Sequence, residues 1–570
     1  MRYRWIIAPP QPLLAESLAR DLGITPLLAQ CLVNRAIDNP DAADRFLEPR
    51  LKNLSDPYLL AGMAEAVERL FHARANAESI VIFGDYDVDG VTSTALLTEV
   101  LRALGWNVQF YLPHRMDEGY GLSQIAVENC LKKFATKLLL AVDCGSSSAA
   151  VVDWLNTQGV DTIVLDHHQT GSCPPKARAL INPHHGDNPY LRELCSVGLA
   201  FKLAHAIVKR GRDLGIAEAF QLDLRTFLDL VALGTIADLV PLTGENRIFV
   251  SRGLKQLSET RRAGLCALME IAQCKQRLGP QEIGFQLAPR LNAAGRLENA
   301  LEALHLLLGT DPEECNAIAQ RLDARNRERQ NIEKKIVAEI MESIRFDPAT
   351  DFAIVQGHDS WHIGVVGIVA SRVLQEFYRP TIVLGGDGAE LRGSGRSIEG
   401  FDMAAALRDC SDLLVKHGGH AMAAGVSIRP ENVEAFRARM NEIAKSKLQS
   451  DQFTPPLRLD AETTLGDLTF GQIRELERIE HYGIGNPPVR LLLRNVHQPR
   501  PLQRVGADKR HVKLWIGDGQ VTREAIWWNA GELPLPVGQF DLAFSPELAE
   551  YKELFTVQLR VLDWGPAVPS

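Results

Sequence analysis

The chain has 570 residues, of which 46% are hydrophobic, 23% charged and 6% aromatic. At roughly 100–200 residues per domain this is several domains, each able to bury a core, which excludes a small disulfide scaffold or a disordered tail. Its 62 Lys and Arg against 71 Asp and Glu give a formal net charge of −9, which excludes a protein that coats nucleic acid through bulk charge and leaves a local basic groove or acids neutralised by cations. Nine scattered cysteines, never spaced as CxxC, point to a reduced compartment without structural zinc. The opening MRYRWIIAPPQPL is too short an apolar run for a signal peptide, and no stretch reaches the roughly 20 apolar residues of a membrane span. A cytoplasmic protein is expected.

In chain order, residues 1–50 carry helical spacing in LAESLARDLGITPLLAQCLVNRAI and predict an N-terminal helical cap. Across 51–250, β-like runs (SIVIFGD, NVQFYLP, KLLLAVD, DTIVLD) alternate with helical ones, which predicts βαβ units on a parallel sheet. Residues 251–347 read as helical and end in the long charged helix DPEECNAIAQRLDARNRERQNIEKKIVAEIMESI, a connector between two bodies. A second α/β pattern over 348–450 contains FAIVQ and TIVLG around the helical VVGIVASRVLQEF. Over 451–570, HVKLWIG, REAIWW, FDLAFS and FTVQLRVLDW alternate in the manner of a small β-barrel.

Three acidic clusters end predicted strands: Asp85, Asp87 and Asp89 after SIVIFG, Asp143 after KLLLAV, and Asp166 with His167 and His168 after DTIVL. Ligands of an open parallel sheet bind beyond the carboxyl ends of its strands, so the clusters converge there. So many carboxylates in one crevice are stable only when protons or cations neutralise them. Carboxylates with one or two imidazoles suit Mn²⁺ or Mg²⁺, and two such ions about 3.5–4 Å apart would drive in-line phosphoryl displacement. A DxDxDG string can instead be a solvated turn or a calcium loop, but the Glu of a calcium loop is replaced by Leu96. Cys144 beside Asp143 could act as a nucleophile, yet no distinct base accompanies it.

GDYDVDG, VDCG, DHH and FLDLVALGTIADLVPL together resemble the motifs of the DHH phosphoesterases, and PHRMDEGYGL, GFQLAPRLNAAGRLENA, WHIGVVGIVASRV, RGSGRSIEGFDM and KHGGHAMAAG continue the resemblance in order, strongly over residues 50–430. The resemblance implies a DHH catalytic domain, a DHH-associated domain and a C-terminal oligonucleotide-binding barrel. It implies Asp87, Asp89, Asp143, His167 and Asp238 as metal ligands with Asp85 as an additional one, His168 against the scissile phosphate, and Asp166 orienting an imidazole. For phosphate and strand binding it implies Arg115, Tyr120, Arg290, Asn292, Arg296, Ser371, Arg372, Ser394, Arg396, Gly418, Gly419 and His420. Glycine-bared amides and arginine forks do make anion sites, although glycines also serve tight turns. In the barrel, Lys509, Arg510, His511, Lys513, Trp515, Arg523, Trp527 and Trp528 offer the cations and rings that track single strands; alternation places only one of the two adjacent tryptophans outside.

The implied activity is 5′ to 3′ exonucleolytic hydrolysis of single-stranded DNA by two Mn²⁺ or Mg²⁺ ions in a cleft between two bodies, in DNA repair and recombination. The implied partners are single-stranded DNA, a single-strand-binding protein and a RecQ-type helicase, and the implied state is a monomer. Two rivals remain: a DHH phosphodiesterase of short oligonucleotides, cyclic dinucleotides or polyphosphate, and a catalytically silent replication scaffold, which would have eroded ligands.

Overall fold

The computed structural model describes residues 2–567 except 115–116, 120, 172, 187, 189–190, 275–277, 298, 387 and 552–553. Where helical spacing dominates the first fifty residues, the chain nevertheless opens with a strand, β1 (Arg4–Ile7), which pairs in parallel with Pro456–Leu459. RWII is too short to announce itself, and its pairing partner lies far away in sequence. The helices Pro12–Leu22, Pro26–Val33 and Pro40–Leu47 follow.

β2 (Ile80–Gly84), β3 (Val108–Tyr111), β4 (Leu138–Val142), β5 (Asp161–Leu165) and β6 (Ala179–Ile181) form an all-parallel sheet in the order β3-β2-β4-β5-β6. β2 and β4 are buried along their whole length, because helices cover both faces of such a sheet. Ile80 and Ile82 pack on one side with Val91, Leu199 and Leu230, while Val81 and Phe83 pack on the other with Val127 and Val152. The strand order reverses at β2, whose neighbours β3 and β4 follow it in sequence on opposite sides, so a crevice opens beyond the ends of β2 and β4.

The helices Gly244–Ser258, Ala263–Ile271, Ala288–Leu297 and Leu301–Leu308 follow, and the charged helix Pro312–Ser343 lies where the sequence places it. The chain divides into two compact units, one of Asp41–Arg327 with Ile479–Pro487 and the other of Met1–Pro40, Glu328–Arg478 and Pro488–Ser570. In the second unit β7 (Ile354–Gly357), β8 (Thr381–Gly385), β9 (Leu391–Arg396), β10 (Leu414–Gly419) and β11 (Ala423–Ile428) form a mixed sheet in the order β10-β11-β9-β8-β7. Only β7 and β8 are parallel within it.

Beyond β12 (Pro456–Leu459) and β13 (Ala461–Glu462), the strands β14 (Leu491–His497), β15 (Gln503–Val505), β16 (His511–Gly517), β17 (Thr522–Trp527), β18 (Gln539–Tyr551) and β19 (Leu554–Pro566) make a seven-stranded sheet with β13. It is curled so that β14 also meets β16 through His497 and Gly517. Along β16, Val512, Leu514 and Ile516 are buried while His511, Lys513 and Trp515 are half-exposed, the alternation of a barrel wall. All nine cysteines are free thiols. No helix among the described residues is long and apolar enough to cross a membrane.

Candidate metal centre

The hydrogen-bond ladder of the parallel sheet runs one residue past each strand and stops on an aspartate. The amide of Asp85 donates to Val142 O at 3.2 Å, that of Asp143 to Leu165 O at 2.9 Å and that of Asp166 to Ile181 O at 3.1 Å. The three carboxylates therefore start from adjacent rungs at the strand ends, and all three residues are buried. Asp143 does so with φ at 62°, a left-handed backbone that aspartate adopts more readily than most residues with a side chain.

Asp87 caps the helix Val88–Ala103, accepting from the amides of Asp89 at 2.9 Å and Gly90 at 3.1 Å. Asp89 points to a second helix N-terminus, accepting from the amides of Ser196 at 2.7 Å and Val197 at 2.8 Å, where the helix dipole favours negative charge. The Ser196 hydroxyl donates to Asp143 Oδ1 at 2.8 Å. Asp238 ends the buried helix Leu228–Ala237. His167 Nε2 faces this acidic group, 3.5 Å from Asp238 Oδ2, 3.6 Å from Asp143 Oδ1 and 4.0 Å from Asp89 Oδ2. Ligand atoms fall within 4.8 Å of one another in three sets: Asp143, His167 and His168; Asp85, Asp87 and Asp143; and Asp89, Cys195 and Asp238.

The electrostatics ask for cations. Burial, and then repulsion from neighbouring carboxylates led by Asp87 for Asp143 and by Asp89 for Asp238, pushes both acids upward; Asp89 rises through burial and the charge of Asp87. Burial and the charge of His168 push His167 down to about 4, leaving its nitrogen lone pair available. Asp143 Oδ2, His167 Nε2 and Asp238 Oδ2 are buried without a hydrogen bond among the described residues. Orphaned acceptors and a neutral imidazole converging on one point fit divalent Mn²⁺ or Mg²⁺.

His168 sits in a different electrostatic setting. Burial disfavours its charged form, but the 2.7 Å hydrogen bond to Asp166 Oδ1 and the surrounding carboxylates outweigh this and push it up to about 9. Asp166 stays below the usual range despite burial, held by His168 and by the Ser146 amide at 2.8 Å. Asn182 fastens the pair, donating to Ser146 Oγ and His168 O, both at 2.8 Å. Neither Ser146, Asn182, Ser196 nor Cys195 stands out in the sequence; the only signal is that CGSS, INPHH and CSVG follow or precede the acidic clusters. The Cys144 thiol is buried, pushed well up by that burial, and directed to Phe83 O at 3.9 Å, which gives no support to a nucleophilic role.

Of the remaining candidates in the metal-bearing unit, Asn292 Oδ1 accepts from the Val88 amide at 3.2 Å, between two of the acids. Arg290 is paired with Asp323 at 2.9 Å, and Arg296 lies on the same helix, Ala288–Leu297. In the other unit, Ser394 and Arg396 sit on β9, with Arg396 Nη1 donating to Ser394 Oγ at 2.6 Å. Ser371 and Arg372 lie on the helix Val366–Phe377 that packs on β9, Arg372 paired with Glu333 at 3.0 Å. Gly418 and Gly419 end the exposed strand β10, followed by His420, whose amide donates to Ala423 O at 2.8 Å. Arg115 and Tyr120 lie outside the described residues. In the barrel Trp527 is buried and Trp528 is 51% exposed, its ring 4.7 Å from that of His511.

Three family domains match in order: the DHH family N-terminal domain over residues 79–235, the DHHA1 domain over 350–446 and the RecJ OB domain over 459–563. The single-stranded-DNA-specific exonuclease RecJ of Bacillus subtilis (strain 168) is 37% identical over 569 residues, covering 99% of this chain and 71% of its own. The chain belongs to the RecJ family. RecJ of Escherichia coli (strain K12) is 34% identical over 94% of this chain and 95% of its own. The crystal structure of RecJ from Thermus thermophilus in complex with Mn²⁺ superposes with a TM-score of 0.85 at 30% identity, covering all of this chain and 80% of that one; its Mg²⁺ complex gives 0.78 at 28%. The mixed α/β architecture with a parallel-sheet DHH domain, a DHHA1 domain and a RecJ OB domain is therefore that of the family, and the acidic and histidine clusters of this chain could hold metal ions.

Proposed function

We propose that this chain is a metal-dependent exonuclease that hydrolyses single-stranded DNA from the 5′ end. The observation that carries the chemistry is the set of three aspartates on adjacent strand-end rungs, facing His167 and Asp238 with orphaned buried acceptors. Membership of the RecJ family supports the substrate and, through the resemblance of its motifs, the polarity and a role in DNA repair and recombination.

Asp85, Asp87, Asp89, Asp143, His167 and Asp238 would hold two divalent ions, which when bound supply Lewis acidity and a water of lowered pKa. The chain's own groups do the rest. The helix N-terminus at Ser196 fixes the Asp89 carboxylate and its hydroxyl fixes Asp143. Protonated His168, oriented by Asp166, presents a donor to a phosphate oxygen and stabilises the charge that develops there. Ser371, Arg372, Ser394, Arg396, Gly418, Gly419 and His420, with Arg115, Tyr120, Arg290, Asn292 and Arg296, would engage the strand's phosphates. The outward face of the barrel, with Lys513, Trp515 and Trp528, would stack and track bases. A monomer in the bacterial cytoplasm, working with a single-strand-binding protein and a RecQ-type helicase, completes the reading.

A phosphodiesterase of short oligonucleotides shares the metal site, but the barrel with its exposed Trp528 favours a long strand. Rates measured across single strands from dinucleotide to several tens of nucleotides decide between them. The exonuclease reading expects kcat/KM to rise with length until the barrel is reached; a maximum at the dinucleotide would favour the rival.

A further inference from the structure

Asp238 is followed by an irregular loop, 239–243, in which Leu239 has φ at 60° and is exposed. Asp238 itself is only a helix end, so the placement of its carboxylate depends on what restrains that loop.

The restraint comes from Ile479–Pro487, a segment late in the chain that packs within the metal-bearing unit. The Leu242 amide donates to Ile484 O at 2.7 Å. Arg247, on the helix that follows the loop, is 2% exposed; its guanidinium lies 3.8 Å from the Phe46 ring centroid and donates to Phe46 O at 2.6 Å and Glu480 O at 2.7 Å. Asn486, wholly buried, closes the segment by donating to Ile479 O at 2.9 Å and His481 O at 3.2 Å. Gly485 has φ at 74°, and a Cβ there would lie 3.1 Å from both Pro241 Cβ and Thr243 Cγ2. The segment therefore lies directly on the loop, and a side chain at Gly485 would both strain its backbone and push on Pro241 and Thr243.

The loop is also tied to the other ligands. Asn246, 1% exposed, donates to Pro241 O at 3.0 Å and to Glu193 O at 2.5 Å. Glu193 precedes Ser196, which holds Asp89 and Asp143. Hydrogen bonds joined by short stretches of backbone thus link Asn486, through the segment and the loop, to Asp238 at the head of the loop and to Ser196, which holds Asp89 and Asp143.

We propose that Ile479–Pro487 is a positioning strap for the metal centre, holding loop 239–243 so that Asp238 meets Asp89, Asp143 and His167. The inference rests on the metal reading of the site and adds to it residues that touch neither metal nor strand.

The test uses the full chain and Mn²⁺ alone. Calorimetric titration without DNA should show that Gly485→Ala, and Asn486→Asp, which loses the two donated hydrogen bonds, bind Mn²⁺ at least about 10-fold more weakly, the usual cost of losing a group that orients a ligand. Single-strand binding in EDTA should be unchanged, and saturating Mn²⁺ should restore kcat. Gly466→Ala, where a Cβ meets only Thr464 Oγ1 at 3.7 Å, should behave as wild type. Folded variants with unaltered Mn²⁺ affinity would overturn the proposal. So would failure of both variants to fold, which would make the strap a structural brace. Absence of Mn²⁺ binding by the wild type would instead overturn the metal reading itself.

Discussion

At the scale of single residues, adjacent side chains have been given separate work. His167 is driven neutral among the acids, whereas His168 is held charged by Asp166. His167→Ala should therefore lose Mn²⁺ affinity, while His168→Ala should keep it and lose about 10²–10³ in kcat, the usual effect of removing one donor to a developing oxyanion. Metal titration alongside steady-state kinetics checks this; equal loss of affinity in both variants would merge the two roles. Asp143→Ala should abolish hydrolysis yet leave the apo-protein at least as stable as wild type, since burial and neighbouring charges make that carboxylate costly to ionise. Thermal melts should also show Mn²⁺ stabilising the wild type, by about 2.7 kcal/mol at a hundred times Kd, and stabilising Asp143→Ala much less.

At the scale of elements, Arg372 and Arg396 sit on a helix and a strand that pack together, with different ties. Arg372 is 58% exposed, and its buried partner Glu333 is also held by Arg329 at 2.9 Å, so Glu333 stays paired when Arg372 is removed. Arg396 is half-buried and donates to Ser394 Oγ and to Gly395 O at 2.8 Å. Arg372→Ala should lower the log–log salt slope of single-strand binding by about 0.7 with little change in melting, whereas Arg396→Ala should lower both. An unchanged slope in both would leave these arginines structural.

The same elements show what the sequence makes legible. β2, β4 and β5 are visible because a strand buried on both faces is a continuous apolar run, and each run ends on the aspartate that matters. β9, β10 and β11 are hidden because GSGRS, KHGG and AAGVS are glycine-rich, and glycine carries no strand signal. Ser146, Asn182 and Ser196 are hidden for another reason: small polar residues gain their roles only from the distant backbone and side-chain groups that the fold delivers to them.

At the scale of the whole molecule, the residues proposed for chemistry and those proposed for strand grip belong to different parts of the chain. The proposed metal ligands run from Asp85 to Asp238, and the exposed ring of Trp528 belongs to the barrel. Deleting everything from β12 onward would confuse the two, because it removes both the partner strand of β1 and the strap that braces Asp238. Trp528→Ala is the cleaner change: it should weaken binding of long single strands by about 1–3 kcal/mol, as loss of one stacked base does, and leave short oligonucleotides unaffected. Equal loss at every length would make the ring structural. Digestion of single- and double-stranded DNA, labelled at either end, with Mn²⁺, with Mg²⁺ and with EDTA reads substrate, polarity and metal dependence together. Stepwise release from the 5′ end of the single strand only is expected, dependent on metal and absent in Asp143→Ala. Release from the 3′ end, digestion of duplex at the same rate, or activity in EDTA would contradict it.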